Sequence, residues 1–476
     1  MNLKNLIIKL WNSPTVTTWM SFLTKSFSVT VILPLVLNRL NVNDVNLWYM
    51  FTGVLSLQII LDAGFGSAFV RIIAYGTVGM RDFSILKNAK ESNDTDNSFD
   101  QEFVTTAYSL MENIYKRLFW VSLFFTYTVG SYIFIRAIQM STYPAFGWIT
   151  WSLFATSFSI VVWGNMYVNF LQGTHNIPLL RRWDTLFNLL NSLFCIIVLL
   201  LTPNVYLLII INQIWLLIGV GRNYFLVHKK YPFLKGYKID IELKADIRKN
   251  LMPSAIKSGV GILMSQGIIQ ASGFIYAQLA SPTALASYLL GLNLIQAIRN
   301  FSQAPFYSRL PELATCTGRG NINKLMSIAQ KNMFRVYLIY SILFFGVAFF
   351  HEPIFNLIGS KVKFPDPELW GLLGIAFLVD RYGAMHLQVY STTNHIIWHS
   401  LNGITGVLMI ALSVILYPIL SINAFPISML CSYILFYSWY APYKSYRFMN
   451  VNFFKFEKYS FIPCVLLFIF NLILHK

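Results

Sequence analysis

Apolar runs of roughly twenty residues recur along the whole chain, each long enough to cross about 30 Å of hydrocarbon as an α-helix. They fall near 16–37, 45–74, 117–139, 146–171, 180–202, 203–227, 251–279, 283–310, 333–350, 367–391, 396–418 and 421–443, with a shorter run at 459–474. A transmembrane β-barrel would need ten-residue strands alternating apolar and polar, whereas these runs are continuously apolar. With 56% hydrophobic and only 12% charged residues, an ordinary soluble globule is excluded. The expected fold is all-α and polytopic, with twelve core transmembrane helices and a short C-terminal thirteenth span. The stretch before the first span sets Leu3, Leu6, Ile7, Leu10 and Trp11 against Lys4 and Lys9, and it reads as a retained interfacial helix.

Charge orients these spans. With a cytoplasmic N-terminus, the opposite side holds only Arg39, Arg136, Lys361, Lys363 and Lys476, and most of the 36 Lys and Arg lie inside. That bias predicts a cytoplasmic N-terminus and accounts for the net charge of +17, so the basic loop 228–249 does not call for a nucleic-acid partner. Anionic membrane lipids are the expected contact there. Cys195, Cys316, Cys431 and Cys464 are too scattered for a disulfide framework or metal site, and all four are expected to be free. Five carboxylates in 91–102 read as a solvated or disordered segment.

The expected organisation is an N-terminal six-helix bundle at 1–227, a basic cytoplasmic connector at 228–250, a second six-helix bundle at 251–443, and a segment at 444–476 ending in the short apolar helix. Weak internal repeats relate spans six apart. At an offset of 219, Gly164, Met166 and Ile177 fall on Gly383, Met385 and Ile396; at 238, Gln58, Asp62 and Arg71 fall on Gln296, Asn300 and Arg309; Lys25-Ser26 recurs as Lys257-Ser258. An even number of spans gives both halves the same orientation, related by an axis along the membrane normal.

Within the apolar runs stand Lys25, Arg71, Lys257, Arg299, Arg309, Arg381, Asp62 and Asp380. An ionised group at bilayer depth costs roughly 2.5–3.5 kcal/mol even on insertion scales, so such residues usually face protein or a wet cavity. Thr18, Ser21, Lys25 and Ser28 share one face of the first span, and Gln58 and Asp62, like Gln296 and Asn300, are one turn apart. Lys25 and the mid-span Arg299 are the leading cavity candidates, followed by Lys257 and Arg381. Arg71 and Arg309 lie nine positions beyond Asp62 and Asn300, on the opposite face of an unbroken helix, unless Gly64 and Gly66 or Pro305 break it; otherwise they serve the membrane interface. Asp380 and Arg381, as neighbours, are not expected to face one another, and their counterparts Val161 and Val162 are uncharged. Such a cavity suits an anionic substrate. Most of the tryptophans near span ends read as interfacial belts, with a minority free to stack on a sugar or lipid.

The run Leu61-Asp-Ala-Gly-Phe-Gly-Ser-Ala-Phe-Val-Arg71 and the segment Gly164–Asp184, with Leu171-Gln-Gly and Arg181-Arg182, resemble Wzx-type O-antigen flippases of the polysaccharide transporter family, within the multidrug/oligosaccharidyl-lipid/polysaccharide superfamily. The resemblance implies two six-helix bundles around a cationic cavity, in the bacterial inner membrane. It implies that an undecaprenyl-pyrophosphate-linked oligosaccharide is carried from the cytoplasmic to the periplasmic leaflet, in concert with polysaccharide assembly proteins. It calls for no cofactor beyond a coupling proton or sodium ion, and no enzymatic activity. The pyrophosphate would sit on Lys25 and Arg299 with Lys257 or Arg381, while Asp62 and Asp380 hold basic partners, meet sugar hydroxyls or carry the coupling proton. A cation-coupled multidrug exporter and a lipid II flippase are the alternatives. A membrane glycosyltransferase or polymerase fits less well, since the longest outside connection, 351–366, is too short for a domain.

Overall fold

The computed structural model describes residues 14–57, 62, 64–77, 99–235, 240–307, 309–393, 397–462 and 464. The N-terminal amphipathic stretch and most of the acidic segment 91–102 and of the 459–474 run lie outside them. Among the described residues the chain is helical throughout, with no strand, and it divides into two compact units, 1–260 and 261–476.

Unit 1 contains α1 (Pro14–Arg39), α2 (Val42–Ser56), α3 (Phe65–Gly76), α4 (Gln101–Phe125), α5 (Ser131–Gln139), α6 (Pro144–Gly173), α7 (Ile177–Leu201), α8 (Val205–Lys230) and most of α9 (Ile241–Ile262). Local chemistry sets several starts. Asn41, Asp100 and Asn204 cap α2, α4 and α8 by accepting backbone N–H groups, and proline occupies the first turn of α6 and α7. α6 is the centre of the unit, packed on α3, α4 and α8, while α1 lies along α7. Phe69, Ile73, Phe103, Met111, Phe170 and Leu180 form its core, joined by Ile247, Leu251 and Ala255 of α9.

The expected second span, 45–74, is not one helix. Among the described residues α2 ends at Ser56 and α3 begins at Phe65, and Gly64, at φ +74 in the left-handed region that glycine tolerates, interrupts the regular helix. Its counterpart, 283–310, breaks as well: α11 (Pro282–Ser302) is followed by the short α12 (Ala304–Tyr307), and Pro305 cannot extend the hydrogen-bond ladder across Gln303. Both breaks precede an arginine, so neither segment is a continuous helix and the nine-residue phase argument that separates Arg71 and Arg309 from Asp62 and Asn300 does not apply.

Unit 2 contains α10 (Ile268–Leu279), α11, α12, α13 (Leu310–Gly318), α14 (Ile322–Ile358), α15 (Pro367–Ser391), α16 (Trp398–Leu420), α17 (Ala424–Ser432), α18 (Ser438–Met449) and α19 (Phe453–Glu457). α15 is its central helix, packed on α11, α14, α17 and α18. Six helices among the described residues are long and apolar enough to cross a membrane, including α6, α8, α14 and α16. Their outward faces carry large apolar side chains, such as Trp120, Phe124, Leu201, Val414 and Ile419, each more than 60% exposed. Such faces are at home in lipid and would aggregate in water.

Candidate functional site

Two helices of unit 2 bring three charged side chains together in its interior. Arg299 projects from α11, one turn before the break at Gln303, while Asp380 and Arg381 are consecutive on α15. Contrary to the sequence expectation, these neighbours do pair: the Arg381 guanidinium folds back so that Nη2 and Nε donate to Asp380 Oδ2 at 2.7 and 3.1 Å. An arginine side chain is long enough to reach its neighbour's carboxylate even though the two Cβ atoms diverge. Nη1 of Arg381 donates to Gln303 Oε1 at 2.8 Å, tying α15 to the broken end of α11. Asp380 and Arg381 are 5% and 2% exposed, so burial makes these bonds obligatory.

Arg299 is held differently. Its Nε lies 3.2 Å from the same Asp380 Oδ2, an ion-pair distance, yet the Nε–H makes no hydrogen bond. The guanidinium lies over the Phe377 ring, 5.6 Å from its centroid, and keeps 13% side-chain exposure. Arg299, Asp380 and Arg381 line a cavity of about 230 Å³ with Asn300, Gln303, Tyr307, Trp398, Asn402, Tyr433 and Tyr437. The wall thus carries two guanidinium groups, one carboxylate, three amides and four aromatic rings with polar handles. Its formal charge is one positive, the composition of a site for an anion bearing hydroxyl groups.

Two π-helical turns shape this cavity. Leu263–Gly267, between α9 and α10, contributes Met264, and Tyr433–Tyr437, between α17 and α18, contributes both tyrosines. An extra residue in the turn rotates side chains off the regular helical register, which is why such turns recur at functional sites. Gly383 lets α15 approach this second turn closely, because a Cβ there would lie 2.5 Å from the Tyr437 ring and 2.8 Å from Ser438 Oγ. Gly383→Val is expected to cost about 1–3 kcal/mol by overpacking and to displace Tyr437 from the cavity, read as a lowered unfolding temperature.

The remaining candidates are dispersed. Asn300 reaches the cavity, whereas Gln296, one turn earlier, is half-buried and is not part of its wall. Arg309 is exposed beyond the break and pairs with Glu312 at 3.1 Å, and Arg71 is exposed on α3. Asp62 belongs to unit 1, where it accepts from Tyr115 Oη and, at 3.1 Å, from Gly66 N, while Asn169 donates to Tyr115 Oη at 2.8 Å. A Cβ on Gly66 would come within 2.0 Å of the Asp62 carboxylate, so glycine is needed there. Lys25 and Lys257 are on α1 and α9 with side chains outside the described residues; Gln58 lies outside them altogether. Among the described residues, no group of three or more His, Cys, Asp or Glu is arranged to hold a metal, and the four cysteines are free.

A second buried cluster had no forecast. His386 on α15 and Glu457 on α19 are both fully buried and 2.8 Å apart. Glu457 also accepts from Tyr446 Oη at 2.6 Å, Ser460 Oγ at 2.5 Å and Phe461 N at 3.1 Å. A histidine in an apolar run escapes a search for formal charges, although its imidazole at bilayer depth carries a comparable signal.

No protein-family model matches the chain, and no curated protein matches it. Its structure is similar to the inward-facing conformation of a multidrug resistance MATE family transporter of the MOP superfamily, at 12% identity and TM-score 0.62, covering 89% of this chain and 94% of that one. It is also similar to a ligand complex of the MATE multidrug transporter DinF-BH, at 13% identity and TM-score 0.61, with 93% and 97% covered. A MOP superfamily transporter from Pyrococcus furiosus, for which reverse polarity of the binding pocket suggests a different function, aligns at 12% identity and TM-score 0.50, with 93% and 98% covered. Likenesses at such identities concern the fold. The chain has the all-α, multi-pass membrane fold of these proteins.

Proposed function

We propose that the protein is a flippase, not an enzyme, that moves an undecaprenyl-pyrophosphate-linked oligosaccharide from the cytoplasmic to the periplasmic leaflet of a bacterial inner membrane by alternating access. The observation that carries this reading is the charge of the unit 2 cavity, where Arg299 and Arg381 outnumber Asp380 on a wall of amides, tyrosines and a tryptophan. Guanidinium groups hold phosphoryl oxygens, while amides and aromatic rings suit a glycan. Lys25 and Lys257 join the anion site on sequence grounds. The bonds to Asp380 favour its role as a holder of basic partners over that of a coupling-proton carrier. Coupling to a proton or sodium ion, and cooperation with polysaccharide assembly proteins, belong to the same reading.

A cation-coupled multidrug exporter of this fold is the second reading, favoured by the multidrug transporters among the structural likenesses. A net positive cavity would repel a cationic drug, and the pocket-polarity contrast drawn for the Pyrococcus furiosus protein makes polarity the feature to test. In proteoliposomes carrying a fluorescent undecaprenyl-pyrophosphate-linked oligosaccharide, Arg299→Gln is expected to slow flipping at least tenfold. Normal flipping by a correctly inserted variant, or efflux of a cationic dye that depends on Arg299, would remove the flippase reading.

A further inference from the structure

The two arginines of the cavity are not equivalent, and the difference lies in how each is bound. Each of the three Arg381 nitrogens donates to a fixed partner, two to Asp380 and one to Gln303, and the residue is 2% exposed. Arg299 touches Asp380 at 3.2 Å without a hydrogen bond through Nε, lies over Phe377 and opens to the cavity. Both guanidiniums converge on a single oxygen, Oδ2 of Asp380.

Hydrogen bonds from a cation to an anion are strong when a donor points along an acceptor lone pair and weak when misdirected. Arg299 is therefore compensated in charge, while its buried Nε–H is unsatisfied. A buried donor in that state gains when an acceptor of better geometry arrives. A phosphoryl group is such an acceptor, since its tetrahedral oxygens can take two N–H groups of one guanidinium. Removing a cation from a buried carboxylate would ordinarily leave an uncompensated charge, at a prohibitive cost. Here it does not, because Arg381 remains on Oδ2 with two bonds.

We propose that Asp380 stands in for a substrate phosphoryl group on Arg299 in the unloaded protein, and that arrival of a phosphoryl anion releases Arg299 from Asp380 while Arg381 keeps the carboxylate neutralised. Asp380 is then a specificity residue: it makes a weakly held anion, such as chloride, a poor competitor for Arg299, and it sets the affinity at which a phosphorylated ligand enters. No bond is made or broken, and the exchange conserves charge. The inference rests on the anion-site reading of the same cavity.

The deciding variant is Asp380→Asn with Arg381→Gln, which removes the competing carboxylate and its fixed partner together and leaves the cavity's net charge unchanged at one positive. Binding of inorganic pyrophosphate and of undecaprenyl pyrophosphate is measured on the full chain in nanodiscs. The double variant is expected to bind both at least tenfold more tightly than wild type, and to lose discrimination against chloride. Affinities equal to wild type would overturn the proposal and leave the anion site intact. If Arg299→Gln binds both probes as wild type does, the anion-site reading falls and the proposal falls with it. A lipid-only effect, with inorganic pyrophosphate unaffected, would also overturn it, because the exchange concerns the phosphoryl group. On the unmodified protein, the arginine Nε–H resonances, assigned through Arg299→Lys and Arg381→Lys, provide a check that does not depend on variant folding. Pyrophosphate is expected to shift the Arg299 resonance and leave that of Arg381 in place; movement of Arg381 alone contradicts the exchange.

Discussion

Asp380→Ala is expected to destabilise the protein by about 3–5 kcal/mol, the cost of breaking a buried ion pair by removing one partner. Without the carboxylate, Arg381 is left 2% exposed and bonded to Gln303, and Arg299, which met the same Asp380 oxygen, stands beside it with like charge. Neither guanidinium can discharge itself by losing a proton, as a lysine could. The expected readout is a large drop in the temperature at which detergent-solubilised protein loses its monodisperse peak. Adding Arg381→Gln should recover most of the loss, because a neutral pair at 380 and 381 has no buried charge to compensate. A single variant as stable as wild type would mean that water or chloride reaches the pair, and the site would then be far wetter than its burial implies. The recovery is the more informative half of the cycle, since it separates the cost of an orphaned charge from the net worth of the cluster, which is small for buried ion pairs generally.

The all-α membrane fold could be read from the sequence because each span is specified locally, by about twenty apolar residues with caps or prolines at the ends. The interruptions were legible too, since Gly64 and Pro305 announce breaks by their own backbone chemistry. The glycine alignment also has a physical basis: a Cβ at Gly164 would lie 2.6 Å from Val220, as one at Gly383 would lie 2.5 Å from Tyr437, so both are points of close helix approach. What the sequence could not supply was the partner of each buried group. Helical phase treats a side chain as a radial vector, and Arg381 defeats that picture by curling onto its neighbour. Tyr433 and Tyr437 stayed hidden among many tyrosines because a π-helical turn reorients them, and no residue pattern announces such a turn. Gln303 stands one turn beyond Arg299, at the break that forms a wall of the cavity, and carries no charge to mark it in the sequence.

Glu457→Gln is expected to loosen α19 and the residues after it by about 2–4 kcal/mol, the scale of losing charge-assisted hydrogen bonds in a buried network. Four donors converge on this carboxylate, from His386, Tyr446, Ser460 and the backbone of Phe461, and an amide can satisfy only part of that set. The loss is local. Outside the carboxylate, α19 is held by Gln330 donating to the Phe456 carbonyl at 2.8 Å and by Phe461 packed between Tyr337 and Tyr382. Amide exchange over 453–461 should therefore accelerate roughly 30- to 1000-fold, the range that 2–4 kcal/mol implies, while the core of α14 keeps its protection. α19 lies between the last core span and the C-terminal apolar run, and pH provides a second handle on it. Burial alone would raise the Glu457 carboxyl, but the bonds from His386, Ser460 and Tyr446, with the His386 interaction, hold it below its usual value. A carboxyl depressed in the folded state contributes stability that is complete above its ordinary pKa and is lost as pH falls through the lowered one. Wild-type protection over 453–461 should accordingly fall away on the acid side of about pH 4, and the Glu457→Gln variant should show no such step. A step of equal size in the variant would assign the acid transition to another group and leave Glu457 a purely packing role.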